Sequence, residues 1–256
     1  MIKIVKPIDI PEVLSTLGEE QNLLNKAAFD LDQNLYISGV DKLPILSKIY
    51  NGPDVKKILK RSQYYKCCFC EKEQADEYGD IEHFRPKEGF KVAKTTANLK
   101  PGYYWLGYTW SNLFFVCGPC NKKKSTLFPL TDENMRARSH HNNIAGESPL
   151  LLNPSGPEDP RNHIVFENEI AKGMTEQGRT TIEICDLNRS AIQEARKKLI
   201  TDIQFYIDSM LSVKDPRDDI YKRALKYIKN AMTQKAQFSA AATDYITSSG
   251  VLNAKK

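Results

Sequence analysis

Two Cys-x-x-Cys pairs, Cys67 with Cys70 and Cys117 with Cys120, and an acid–imidazole pair, Glu82-His83, set between them are the residues of this 256-residue chain best suited to chemistry. Two such pairs are the usual way to supply four thiolates to a tetrahedral zinc ion. Gly118 and Pro119 suit the tight turn that Cys117 and Cys120 need to wrap one edge of it. A four-thiolate zinc has no open coordination position, so it is expected to be structural, and catalysis needs another centre. Cys68 competes with Cys67 as a ligand, but the spacing to Cys70 favours Cys67. Cys68 therefore reads as a buried or spare thiol, and Cys185, in an apolar helical context, as a packed one.

The second centre is sought in the 46 residues between the pairs and just beyond them, in Asp80-Ile81-Glu82-His83-Phe84-Arg85-Pro86-Lys87 and Asn121-Lys122-Lys123-Lys124. A zinc joining both pairs holds Asn121 beside the bound Cys120 and draws the segment of Glu82 and His83 towards it. Glu82 and Asn121 are hard oxygen donors suited to Mg²⁺ or Mn²⁺, ions that bind substrate phosphate. His83, with an ordinary pKa near working pH, can take a proton from a water attacking phosphorus. Arg85 and Lys87 can grip neighbouring phosphates. Lys124, with Lys122 and Lys123, either touches phosphate or forms a solvated helix face. These groups fit hydrolysis of a phosphodiester. They do not choose between DNA and RNA, because the metal reads the phosphodiester and not the sugar. A non-catalytic zinc module that binds nucleic acid or protein is the third reading, and it has no need of the trio.

Glu82-His83, Asn112-Leu113 and Cys117-x-x-Cys120-Asn121-x-x-Lys124 resemble the HNH endonuclease pattern. The resemblance implies a ββα-metal unit, in which a two-stranded hairpin and a helix surround the catalytic metal. It implies Glu82 as the acidic metal ligand, His83 as general base, Asn112 as a loop brace and Asn121 as a second metal ligand. Glu82 departs from the Asp found in many members. A narrower resemblance, to the PtuB-like nucleases of Septu and retron-associated anti-phage systems, covers roughly residues 64–200. It rests on residues 81–87, Tyr104-Trp105-Leu106-Gly107-Tyr108-Thr109-Trp110, Pro149-Leu150-Leu151-Leu152-Asn153-Pro154 and Leu187-Asn188-Arg189. It implies anti-phage defence by cleavage of DNA or tRNA, beside a PtuA-like ATPase.

The elements that must position these residues read as α+β and mainly α, a zinc-stapled core embedded in flanking helices. The expected divisions are an N-terminal helical region (1–63), the nuclease core (64–130), a connecting segment with a short strand (131–179) and a C-terminal helical region (180–256). Residues 19–30 read as a helix with Leu23, Leu24, Ala27 and Ala28 on one face. Pro53 suits the start of a helix carrying Val55, Ile58 and Leu59. Short strands or turns are expected at 65–69 and 79–84, and a strand or ordered loop at 112–116. Asn121 is expected to open a helix. Ile164-Val165-Phe166 reads as a strand, with Gly173 and Gly178 flanking a turn. Asn188-Arg189-Ser190 reads as a cap before a helix to Met210. Pro216 is expected to begin another, with Ile220, Leu225 and Ile228 on its face, and 238–252 a last one.

Composition sets outer limits. Net charge is +5, compatible with a polyanionic partner without requiring one. No run approaches ~18 consecutive apolar residues, and the first residues lack a signal-peptide core. A cytoplasmic location, reducing enough to keep cysteines as thiols, is expected. Tyr103, Tyr104, Trp105, Tyr108 and Trp110 read as packing groups rather than base-stacking ones. His140-His141 has no acidic or cysteine partner nearby in sequence and reads as ordinary, and His163 as structural.

Overall fold

A computed structural model describes residues 1–74 and 79–252. The first pair of elements that matters is a ribbon of two short antiparallel strands, β1 (Asp80–His83) and β2 (Leu113–Val116), with Glu82 opposite Phe114 and His83 opposite Leu113. Alternation gives the ribbon two faces. Ile81, Leu113 and Phe115 form one, buried against helices that precede them in the chain. Asp80, Glu82, Phe114 and Val116 lie on the other, beside a helix that follows β2 directly.

Four helices precede the ribbon, α1 (Glu19–Leu31), α2 (Gln33–Ile37), α3 (Ser47–Tyr50) and α4 (Pro53–Ser62), and α3 and α4 are the ones that cover this face, with Ile49, Val55 and Leu59. Pro53 stands at the start of α4, where its missing N–H costs nothing, and Val55 and Leu59 are fully buried. Gln63, just past α4, then behaves like a short piece of strand. Its amide accepts from Phe115 N–H (2.9 Å) and donates to Phe115 O (2.7 Å), fixing the end of α4 to β2. Helix α1 turns a different face inward from the one expected. Asn22, Asn25 and Phe29 are buried, whereas Leu23 and Leu24 are 58% and 59% exposed. Asn25 is held inside by donating to Pro44 O at 3.0 Å.

After β2 comes α5 (Gly118–Lys124), which begins before Asn121, at the second cysteine pair itself. A second ribbon, β3 (Ile164–Glu167) and β4 (Ile170–Gly173), turns at Asn168, which takes a positive φ, and the chain bends again at 174–175, between Gly173 and Gly178. Gly178 belongs to α6 (Glu176–Cys185), where a Cβ would stand 2.1 Å from His163 O. The chain continues through α7 (Ser190–Leu211), α8 (Asp219–Ala231) and α9 (Ser239–Ser248). Helix α8 is capped by Asp218, not begun by Pro216, and buries Ala224, Ile228 and Ala231, leaving Ile220 exposed. Asn188 does not cap α7; its amide pairs with both backbone groups of Ala171 on β4. The whole is α+β and mainly helical, and no helix among the described residues is long and apolar enough to cross a membrane.

Candidate functional site

The four cysteines come together because both pairs are tied to β2. Cys117 follows its last residue directly, and Cys68 N–H donates to Phe115 O at 3.1 Å, laying the first pair alongside. Cys67, Cys70, Cys117 and Cys120 form one buried cluster with ligand atoms within 4.8 Å of one another. Cys70 Sγ and Cys117 Sγ stand 3.7 Å apart, far beyond a disulfide and close to the roughly 3.8 Å edge of a tetrahedron with zinc–sulfur bonds of about 2.3 Å. The cluster can therefore hold a structural zinc ion. Cys68 and Cys185 are buried outside it.

A further residue serves this cluster. Arg189 directs its guanidinium at the sulfurs of Cys120 (3.4 Å), Cys70 (3.6 Å) and Cys117 (3.8 Å). Four thiolates around a divalent ion leave a net charge of about −2, and a guanidinium with several N–H groups offsets it. The sequence carries Arg189 only as part of a resemblance; the charge balance of a four-thiolate zinc was the signal that called for such a cation.

On the face of β1 opposite Ile81, the helix following the cysteines sets its side chains against the strand in step. Asn121 Nδ2 donates to Asp80 Oδ2 (2.9 Å), and Lys124 Nζ lies 2.5 Å from Glu82 Oε1. Asp80 and Glu82 are two apart on a strand and so share a face. Asn121 thus meets Asp80, a residue given no role by its sequence context, while Glu82 meets Lys124. Lys124 is not a solvated helix residue: its side chain is 0% exposed. It also donates to His83 O at 2.9 Å. Burial raises the Glu82 pKa, and Lys124 offsets only part of that effect.

His83 turns to the other face. Its ring packs edge-on against Tyr50 of α3, with centroids 4.7 Å apart, and Nε2 lies 2.8 Å from Gly107 O. A carbonyl can only accept, so Nε2 carries the proton and Nδ1 keeps its lone pair. Burial first, then the charge of Lys87, hold the pKa down to about 3 despite the Gly107 carbonyl. The imidazole is neutral at neutral pH.

Asn112 joins the end of β1 to the turn that holds His83. Its Oδ1 accepts from Arg85 N–H (2.8 Å), and Nδ2 donates to Arg85 O and Leu106 O (3.1 Å each). Arg85 is turned inward, its Nε 2.8 Å from Glu147, whose side chain is fully buried. The Nε of Arg85 is thus engaged with Glu147. Lys87 lies over the Tyr50 ring and 3.4 Å from Glu88, near enough to act on the charge of both Glu82 and His83. Tyr103, Tyr104, Trp105, Tyr108 and Trp110 are all buried as packing groups. His163 bonds Glu158 and Thr175, the latter the cap of α6.

The fold and site define a mainly helical α+β protein with a buried cysteine cluster beside a strand–helix face bearing acids and a lysine. No family model matches the chain. Two curated relatives carry the name Septu protein PtuB. The chain is 35% identical to that of Bacillus mycoides (strain KBAB4) over 161 residues, covering 60% of this chain and 54% of that protein. It is 28% identical to that of Bacillus thuringiensis over 145 residues, covering 56% of this chain and 44% of that protein. The chain spans about half the length of the curated relatives it matches.

Proposed function

We propose that the chain is a metal-dependent endonuclease of the HNH class that hydrolyses phosphodiester bonds of nucleic acid in anti-phage defence, with DNA favoured and tRNA as the alternative substrate. The observation that carries this reading is the β1–β2 ribbon running straight into α5, the arrangement expected of a ββα-metal unit. Glu82 and His83 lie on β1 and Asn121 on α5, and Asn112 immediately precedes β2. The similarity to PtuB proteins supports the same reading and, with it, an ATPase partner of the PtuA kind.

The oxygen donors on the α5 side of β1 are of the type a hard divalent cation takes. Glu82 and Asp80 are carboxylates on one side of β1, and Asn121 spends its amide N–H on Asp80, leaving Oδ1 without a donor among the described residues. Mg²⁺ or Mn²⁺ held by Glu82 and Asn121 would supply charge stabilisation to the phosphate and the leaving oxygen. His83 takes the proton of the attacking water at Nδ1, as the water oxygen bonds to phosphorus and the phosphorus–oxygen ester bond breaks. A base with a pKa of about 3 is weak. Burial is the larger cause and Lys87 the next, and a phosphate beside that ammonium offsets the part due to Lys87. Lys87 and Arg85 both remain partly open to solvent, at 21% and 14% side-chain exposure, while Lys124 is closed off against Glu82.

The Lys124–Glu82 contact, together with a His83 ring on the opposite face, favours a second reading: a zinc module that binds without cutting. Incubation with plasmid DNA and with total RNA, with Mg²⁺ or Mn²⁺ and with or without the ATPase, separates the two. Cleavage that disappears in His83→Ala, at unchanged zinc content, supports the nuclease. Binding without cleavage under every condition supports the module, and cleavage undiminished in His83→Ala refutes the assigned mechanism.

A further inference from the structure

His140 and His141, ordinary in sequence, acquire a partner in the fold. Asp30, 110 residues earlier at the end of α1, reaches both: its Oδ1 is 2.7 Å from His141 Nε2 and its Oδ2 is 3.4 Å from His140 Nε2. One oxygen and two nitrogen donors thus converge, their ligand atoms within 4.8 Å of one another. From these residues we propose a second metal site, distinct from the cysteine cluster, that takes a divalent transition-metal ion such as zinc and pins the end of α1 to the 139–142 loop.

Three features go beyond a chance meeting of surface groups. The edges of a tetrahedron with zinc–nitrogen and zinc–oxygen bonds of about 2.0–2.1 Å are roughly 3.3 Å, a value that the 2.7 and 3.4 Å separations of the two imidazoles from the Asp30 carboxylate bracket. His140 is also held from behind. Its Nδ1 lies 2.5 Å from the Tyr104 hydroxyl, and its ring packs edge-on against Phe29 and Tyr104. With Nδ1–H donating to the Tyr104 oxygen, the Nε2 lone pair faces Asp30, the arrangement by which an outer hydrogen bond orients a metal-binding imidazole. Without a metal the same contacts persist in the other tautomer, Tyr104 donating to Nδ1 and Nε2–H to Asp30.

Electrostatics agree with the geometry. Asp30 sits in the last turn of α1, where the helix dipole disfavours a carboxylate and favours a cation. His141 and Asp30 are 57% and 44% exposed at their side chains, which leaves room for a water to complete the coordination. Tyr104 opens the short turn (Tyr104–Leu106) before Gly107, and Gly107 N–H donates to Tyr104 O at 3.1 Å. The site therefore braces the turn whose next carbonyl holds His83. This inference does not depend on the chain being a nuclease.

The test is metal counting on the full chain. Protein with its cysteine cluster loaded with one zinc is titrated with further zinc against a chromophoric chelator, and with Co²⁺. Wild type should bind a second equivalent, and Co²⁺ there should lack the intense sulfur-to-metal absorption of a thiolate site. His141→Ala and Asp30→Asn, both at exposed positions, should stop at one equivalent while keeping that absorption. Tyr104→Phe should weaken the second equivalent by about 10–100-fold and leave the first unchanged. A wild type that binds only one equivalent overturns the proposal, as does a second equivalent that survives both exposed-site variants.

Discussion

Lys124 Nζ lies 2.5 Å from Glu82 Oε1, and both side chains are withdrawn from solvent, at 0% and 12% exposure. A lysine one turn beyond Asn121 thus supplies the positive charge that a buried glutamate requires. Removing one partner of a buried ion pair costs roughly 3–5 kcal/mol, because the other charge is left without compensation. Lys124→Met is expected to lower the melting temperature. In that variant Mn²⁺ or Mg²⁺ should recover part of the loss by neutralising Glu82, whereas wild type should respond less. Thermal melts with and without the ions test this, and an unchanged melting temperature in the variant would show that the pair contributes nothing.

Arg189 faces three sulfurs of the cysteine cluster from the start of α7. Its loss leaves the excess negative charge of the thiolates without its nearest donor. Arg189→Ala should weaken zinc by about 10–100-fold, as for other groups that hydrogen-bond to metal ligands. Competition with a chelator of known affinity measures it. Equal zinc affinity in the two proteins would show that Arg189 merely packs there.

Asn112 satisfies one backbone N–H and two backbone carbonyls. Asn112→Ala leaves buried polar groups unpaired, each at about 1–3 kcal/mol. A destabilisation of roughly 2–4 kcal/mol is expected from denaturant unfolding. Asn112→Asp keeps the acceptor for Arg85 N–H but cannot donate to Leu106 O or Arg85 O when ionised, so it should recover only part of the loss.

His83 gives a pH signature. Its ordinary pKa of 6.5 is lowered to about 3 in the fold, first by burial. Between those values the unfolded chain binds a proton that the folded chain does not. The His83 contribution is therefore complete above about pH 6.5 and is lost as pH falls towards 3, by about 1.4 kcal/mol per pH unit. His83→Asn lacks this proton uptake. The stability gap between wild type and variant should narrow in acid, and because the two proteins share every other titrating group, the difference isolates His83. A gap constant from pH 7 to pH 5 would mean that the ring is not held neutral.

The parts legible without a structure are those in which the deciding residues are neighbours in the chain. Cys-x-x-Cys spacing brings two sulfurs to one ion by local backbone geometry alone, and the observed cluster contains the four cysteines so expected. Pro53 likewise marks the start of α4 through its own fixed φ. Facing was harder to read. Leu23 and Leu24 are exposed while Asn22 and Asn25 are buried, because the inward face of a helix depends on what lies across from it, here Pro44 O as acceptor for Asn25.

By itself, then, the sequence determined the four cysteines that cluster, the mainly helical α+β character and the short segments that carry Glu82, His83, Asn112 and Asn121. Only the tertiary structure decided which groups meet: Lys124 with Glu82, Asn121 with Asp80, Arg189 with the sulfurs, Asp30 with His140 and His141. The reason is physical. Ligand spacing within a turn is limited by covalent geometry over a few residues, whereas an ion pair between residues about 40 or 110 positions apart exists only once packing has closed the intervening chain.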